Sequence, residues 1–548
     1  MRSGVPFPML RRLPGVAPTL TLLGLVAACA HAQPAPADTL PGARARPMPT
    51  LVVFITIDQL RGDYLTRFGR QLTGGLHRFD VAGAHFTNAF QDHANTETAP
   101  GHAATMSGRF PVHTGIASNS AGVSDPGSPL VGSTDPGASP FRFVGTTLLD
   151  WMKKRNGATR FLSVSRKDRA AILPIGKSKG DVYWYASNGT FTHSTYYGGD
   201  LPKWVRQFNT LQHPLEYAGQ SWTPLLPDSA YTEADSVPAE NNGQAFLFPH
   251  PIAEDPTRAA ATLPNFPVMD ELTLRFALAG LEQLQLGADP ARTDLLNISL
   301  STTDAVGHRY GPDSKELHDQ VLRVDRYLGA FIDSLFRMRD STRVILTLTG
   351  DHGMSPFPTV LSTVTPNPGA RSVDLEPPFD ALLKRLGALK VDTNQVAMSD
   401  GALLIGDTTT FMKVKISPDS VALALAAELR AIPGVNRVDM LRDLAKADTV
   451  HDVIAMRWLH MFAPGGTVRL VTTLDRFNYY AGITQATHGT PWDQDAWVPV
   501  IFWGAPFKAG KYPERARVVD MAPTLADVLG VKPLEKLDGV VLKAAEKP

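Results

Sequence analysis

The sequence predicts an α/β fold in which a mostly parallel sheet is flanked by helices and carries inserted cap segments, and three observations lead to it. Short apolar runs near Leu51, Leu295, Val344 and Val498 read as buried strands. They alternate with amphipathic stretches at Met269 to Leu286 and Lys315 to Met338, whose period suits helices. Three of the runs end on metal-ligand chemistry: Asp58 after LVVFITI, Asp304 and His308 after LLNISLSTT, and Asp351 and His352 after RVILTLTG. Open α/β sheets place their active sites at the carboxyl ends of their strands.

Taken from the N-terminus, the chain opens with Arg2, Arg11 and Arg12 ahead of an apolar stretch from Val16 to Ala28. That is the charge and length of a secretory signal, and Pro18 interrupts it too early for a membrane span. Two exits compete. VAAC ending at Cys29 resembles a bacterial lipobox, which would leave Cys29 lipidated as the first mature residue, whereas AHA ending at Ala32 resembles an ordinary signal peptidase site. The expectation is therefore an export signal over 1–32, a Pro- and Ala-rich tether over 33–49, and a periplasmic domain over 50–548. Cys29 is the single cysteine of 548 residues, so no disulfide forms within the mature domain. Stability must come from a large core, from bound metal, or from both.

In NTETAPGHAATMSG, Pro100 and the helix formers after it mark a helix start, with Thr98 at or near the N-cap. A hydroxyl there faces free backbone amides and the positive end of the helix dipole, where a phosphate or an alkoxide is stabilised. In SVSRKDRAAI, Lys167 and Arg169 are two apart, so an extended backbone would place both on one face with Asp168 turned away. The stretch over 170–263 is rich in aromatics, Gly and Pro without a long period, and reads as an insertion walling a pocket. Asp304 and His308 are four apart, so one helical turn aims both at one point. Asp351 and His352 are adjacent and need a sharp loop, which Gly350 and Gly353 would allow. Over 401–448 the pattern is strand, helix, strand, a small α/β cap. A last imidazole, His488, stands in ATHGTPW.

Imidazoles mixed with carboxylates and no thiolate suit zinc better than calcium or magnesium, which prefer oxygen shells. Seven such residues, counting Asp58, Asp304, His308, Asp351, His352 and His488 with the Thr98 hydroxyl, outline a two-metal site.

These motifs, together with HTGIASN, YWYASNGTFTHSTYY, LPKWVRQFN, VPVIFWG and VDMAPTLADVLG, resemble the alkaline phosphatase superfamily. Within it the likeness is to the bacterial PafA-type alkaline phosphatases, and it runs from about Leu51 to about Gly530. The resemblance implies one Zn²⁺ on Asp304, His308 and His488, and a second on Asp58, Asp351, His352 and Thr98. It implies Thr98 as the nucleophile of a phosphothreonine mechanism and Asn119, Lys167 and Arg169 as contacts to the phosphate. The expected substrates are small-molecule phosphate monoesters, hydrolysed with broad leaving-group tolerance for phosphate scavenging. One departure from the pattern is the segment after Asn119, SAGVSDPGSPLVGSTDPGASP, which is short and rich in Gly, Pro and Ser.

Two alternatives differ in class. Nucleotide pyrophosphatase/phosphodiesterases share the metal ligands and the threonine but lack the Lys and Arg pair. A phosphate- or zinc-binding protein without turnover would need no nucleophile. Sulfatases require a Cys or Ser converted to formylglycine, and Cys29 lies far from these motifs. With 53 basic and 53 acidic residues the net charge is zero, and no basic stripe is interleaved with aromatics, which argues against nucleic acid as a partner. The sequons at Asn188 and Asn297 read as chance matches, Asn297 falling inside a buried strand.

Overall fold

The run Leu51–Ile57 (β1) is apolar at every residue but Thr56, so only a place covered on both faces satisfies it, and all seven residues are buried. In the computed structural model, which describes residues 48–358, 360 and 370–547, β1 lies at the centre of a nine-stranded sheet. The other strands are Ala84–Phe90 (β2), Phe161–Ser165 (β3), Val182–Tyr185 (β4), Phe191–Thr192 (β5), Asp294–Leu300 (β6), Val344–Thr349 (β7), Val500–Trp503 (β8) and Gly510–Arg517 (β9). Their order across the sheet is β9-β2-β8-β7-β1-β6-β3-β4-β5. Parallel pairing links β7 to β1, β1 to β6, β6 to β3, β3 to β4, and β2 to β9. Only β5 and β8 run against their neighbours. The mostly parallel sheet expected from the sequence is present. The export signal with Cys29, and all but the last two residues of the tether, lie outside the described residues.

Strand alternation divides the core between the two faces. Leu51, Val53, Ile55 and Ile57 join one buried cluster with the helices Val268–Gln283 and Lys315–Met338, while Val52 and Phe54 join another with the helix Thr98–Ser107. Lys315–Met338 keeps the predicted ends, and Val268–Gln283 starts one residue earlier and stops three residues earlier than its pattern. Asn297 is buried within β6 and donates to Ser163 Oγ at 2.9 Å, a structural role that leaves no room for modification.

Much of 170–263 belongs to the core. Tyr183 and Phe191 lie on β4 and β5, and their rings pack on Phe276 with centroids 5.5 Å and 4.2 Å away. The segment 401–448 supplies Ala402–Ile405, the helix Pro418–Arg430 and Val435–Met440. Their antiparallel sheet also draws in Val396–Ser399 and Val468–Leu474. No helix among the described residues is long and apolar enough to cross a membrane.

Two glycines test how tightly these layers are joined. Gly101 lies in the first turn of Thr98–Ser107, and a Cβ there would stand 2.2 Å from the Asp351 carbonyl oxygen. Gly387, inside the helix Glu376–Ala388, has nothing within 4 Å of such a Cβ. Helix propensity favours Ala over Gly by about 1 kcal/mol at either position. Gly101→Ala is nevertheless expected to destabilise by about 1–3 kcal/mol through overpacking, while Gly387→Ala should stabilise by roughly 0.5–1 kcal/mol. Thermal melts of the two variants beside wild type would read the opposite signs.

Candidate active site

Strand direction explains why ligands far apart in the chain converge. β1, β3, β6 and β7 end on one edge of the sheet, and β2, parallel to them beyond β8, ends there too. Asp58 follows β1, Lys167 follows β3, Asp304 stands in the first turn of the helix Thr302–Tyr310 just past β6, and Asp351 and His352 follow β7. Thr98 opens its helix after β2. His488 comes before a strand rather than after one, and the antiparallel sense of β8 brings the loop ahead of that strand to the same edge.

The three imidazoles share one orientation. His308 Nδ1 faces the Ala486 carbonyl at 2.6 Å, His352 Nδ1 faces Gly353 O at 2.9 Å, and His488 Nδ1 faces Thr96 O at 2.8 Å. A carbonyl only accepts, so each Nδ1 carries a proton and each ring turns its Nε2 to the site, as a lone-pair donor wherever the ring is neutral. His308 Nε2 is 3.2 Å from Asp304 Oδ1 and 3.3 Å from His488 Nε2. His352 Nε2 is 3.3 Å from Asp58 Oδ1 and 3.7 Å from Asp351 Oδ2. Two lone pairs 3.3 Å apart repel unless a cation or proton lies between them. Carbonyl-anchored imidazoles are the usual arrangement of metal-ligating histidine.

The ligand sets only partly follow the division expected from the sequence. Asp304, His308 and His488 group as the first set, while Asp58 and His352 group with Asp304, which serves both. Asp351 stands at the edge of the second group, and its Oδ2 is also 3.1 Å from His102 Nδ1. Gly350 and Gly353 allow the loop through close backbone approach rather than left-handed geometry. A Cβ on either would come within 2.8 Å of Leu60 O or 2.2 Å of Gln494 O.

Thr98 is the first residue of its helix, with Glu97 at the N-cap, and its hydroxyl is 3.4 Å from Lys167 Nζ. Glu97 makes no side-chain cap, and Asn119 substitutes from outside, its Oδ1 accepting from Ala99 N–H at 2.9 Å while Glu97 Oε2 accepts from Asn119 N–H at 2.6 Å. The amide nitrogen of Asn119 is thereby left as a donor beside Thr98. The shared extended face expected for Lys167 and Arg169 is not formed. Lys167 is extended, but Asp168–Ile172 is a helix, because Asp168 at its first position complements the dipole and Ala170 and Ala171 favour helix. Lys167 Nζ reaches Asp58 Oδ2 at 2.5 Å and Asp304 Oδ2 at 2.6 Å, whereas Arg169 Nη1 lies 3.6 Å from Asp168.

Charge at the site is dense and mutually compensated. Burial and the neighbouring Asp304 act to raise the Asp58 carboxyl, yet Lys167 and His352 outweigh them and hold it well below its ordinary value. Asp304 is likewise held low against burial by Lys167 and His308. Burial works against a charge on His352, but Asp351 and Asp58 push it up to about 9, while burial and the other two imidazoles depress His488. Asp58 Oδ1 and His352 Nε2 are buried and make no hydrogen bond, and Asp58 Oδ2 and Asp351 Oδ2 are met only by the Lys167 ammonium and the His102 ring. Buried acceptors of this kind, facing inward lone pairs, form a donor set that fits divalent zinc.

Three residues not singled out from the sequence complete the arrangement. Gln59 donates from its backbone N–H to Asp351 Oδ1 and from Nε2 to Asp304 Oδ1. His102, four residues after Thr98 on the same helix, bridges Thr98 O and Ser299 Oγ. Arg457, fully buried on the helix Val453–Met461, pairs with Asp92 at 3.2 Å and donates to Pro491 O at 2.6 Å, tying the loop before Thr98 to the loop after His488. The spacing of His102 from Thr98 was a usable signal. Gln59 and Arg457 carried none, being ordinary residues in ordinary local patterns.

Residues 52–416 match the family described as type I phosphodiesterase / nucleotide pyrophosphatase. The chain is 31% identical over 506 residues to alkaline phosphatase PhoV of Synechococcus elongatus, covering 88% of this chain and 90% of that one. It is 29% identical over 514 residues to alkaline phosphatase PafA of Elizabethkingia meningoseptica, covering 89% and 93%. The crystal structure of wild-type PafA superposes with a TM-score of 0.84 at 27% identity, over 92% of this chain and 100% of that one. With near full-length likeness in sequence and fold, the chain belongs to the type I phosphodiesterase / nucleotide pyrophosphatase family, and within it to the alkaline phosphatases.

Proposed function

We propose that this phosphatase hydrolyses phosphate monoesters with broad leaving-group tolerance through a phosphothreonine at Thr98. The observation that carries the reading is the Thr98 hydroxyl at a helix N-terminus, 3.4 Å from Lys167 Nζ and beside two inward-facing ligand groups. Asp304, His308 and His488 would hold one Zn²⁺, and Asp58, Asp351 and His352, with Thr98, a second that shares Asp304 with the first. When bound, zinc supplies Lewis acidity that makes a hydroxyl nucleophilic near neutral pH and offsets phosphoryl charge.

The chain's own groups do the rest. Thr98 Oγ1 gives its proton to solvent and bonds to phosphorus as the bond to the leaving oxygen breaks, and that oxygen takes a proton from water to depart as the alcohol. Water then attacks the same phosphorus, releasing inorganic phosphate and restoring the hydroxyl. The Thr98 N–H at the helix start, the Asn119 side-chain amide and the Lys167 and Arg169 cations bind the nonbridging oxygens, the Ala99 N–H being already capped by Asn119. A monoester dianion presents three such oxygens, while a diester has two and one less charge, so these donors favour monoesters over the phosphodiester alternative. Recognition centred on the phosphoryl group leaves the leaving group free to vary, which suits phosphate scavenging by an exported enzyme. The signal over 1–32 supports a periplasmic location, lipid-anchored if Cys29 is the first mature residue. The reading without turnover is disfavoured by the placement of the Thr98 hydroxyl.

Kinetics with p-nitrophenyl phosphate and bis-p-nitrophenyl phosphate test the assignment. Thr98→Ala should lose on the order of 10⁴-fold or more in monoester kcat/KM. Lys167→Ala with Arg169→Ala should lose about 10²–10³-fold for the monoester and much less for the diester. Full activity in Thr98→Ala, or equal losses on both esters, would overturn the nucleophile or the monoester reading respectively.

Metal removal gives a separate measure. Chelation should abolish turnover and lower Tm, and Zn²⁺ at 100 times its Kd should restore about 2.7 kcal/mol of stability. Unchanged melting with and without chelator would count against resident metal.

A further inference from the structure

Gln59 combines two locally unfavourable choices made for one contact. Its backbone is left-handed, with φ 65°, a region that a residue with a Cβ enters only when its surroundings hold it there. In that conformation the backbone N–H donates to Asp351 Oδ1 at 3.0 Å while the side chain turns back to donate from Nε2 to Asp304 Oδ1 at 3.1 Å. The second choice lies opposite. Gly307 occupies the interior of the helix Thr302–Tyr310, where glycine is a poor helix former, and a Cβ there would stand 1.7 Å from Gln59 Oε1. A strained backbone and a mid-helix glycine thus both serve to seat one fully buried amide.

The atom that amide contacts is central to the site. Asp304 Oδ1 has all three imidazole Nε2 atoms within 4.0 Å, His308 at 3.2 Å, His488 at 3.6 Å and His352, which lies closer to Asp58, at 4.0 Å. Its other oxygen, Oδ2, is taken by Lys167. A carboxylate serving two ligand groups must keep one rotation, and Gln59 is the neutral donor that fixes it without adding charge. The same residue fixes Asp351, so one side chain and its own backbone set the relative placement of both groups.

Resting on the two-zinc reading above, we propose that Gln59 is a positioning residue that orients Asp304 and couples the two zinc sites, with Gly307 as the clearance that lets it do so. Local conflicts that disappear only when the site is considered are the expected mark of such a role.

Two substitutions separate positioning from general packing. Gln59→Gly suits the left-handed backbone and keeps the donor to Asp351 while deleting the amide on Asp304. Gly307→Ala leaves Gln59 in the sequence, favours the helix, and displaces the amide from the opposite side. Zinc affinity of the full chain, measured by chelator competition after metal removal, is the primary readout, with the Tm of the metal-free protein beside it. Both variants should bind zinc about 10–100-fold more weakly, with metal-free Tm close to wild type. Affinities within twofold of wild type would overturn the proposal, as would weakened binding that merely follows a large fall in metal-free Tm. If wild type itself binds no zinc, the two-zinc reading fails first and takes this inference with it. Tight wild-type binding with unaffected variants would overturn the inference alone.

Discussion

Three carboxylates, Asp58, Asp304 and Asp351, are buried side by side where parallel strands end, and the need to neutralise them governs the architecture around them. Buried charge is tolerated only when paired and hydrogen-bonded. Lys167 is drawn in between two of the carboxylates, His352 is driven toward its charged form, and three imidazoles are anchored through Nδ1 so that their remaining nitrogens face the same volume. Such a cluster has a deficit of positive charge that divalent metal is suited to supply. The Thr98 hydroxyl opens a helix whose dipole favours an anion at that spot.

Sheet topology turns this electrostatic requirement into a specific set of residues. Central strands covered on both faces are rigid, and their ends are the one place where polar side chains can leave the core without crossing it. Reversal of β8 is what admits His488, since a strand entering from the functional edge is preceded, not followed, by a loop at that edge. The cap sheet precedes and follows the helix that carries Arg457, and that buried guanidinium holds the Asp92 loop and the Pro491 loop together behind Thr98 and His488.

The arrangement also separates two duties that both fall on cations. Lys167 lies among the carboxylates and beside the threonine, while Arg169, two residues on and inside the helix that Lys167 caps, is paired only loosely with Asp168. An extended segment would have set both on one face. The helix instead staggers them, setting the Lys167 point charge among the carboxylates and the Arg169 fork apart from it.

The mostly apolar runs of β1, β6 and β7, the helix start at Thr98, and the four-residue step from Asp304 to His308 were all legible in the sequence, because each is set by local periodicity or by neighbours within one turn. The mostly parallel sheet follows from those patterns, and the residues proposed as nucleophile and ligands were named from them and from the family motifs. What only the tertiary structure decided depends on contacts between distant segments. Asp304 is shared between both groups, Asn119 caps a helix it does not belong to, the aromatics after Tyr183 enter the core, and Gln59 and Arg457 join loops hundreds of residues apart. None of these leaves a periodic trace, since a long-range hydrogen bond constrains two positions without repeating, whereas burial of a strand or a helix face constrains every second or every third to fourth residue along the chain.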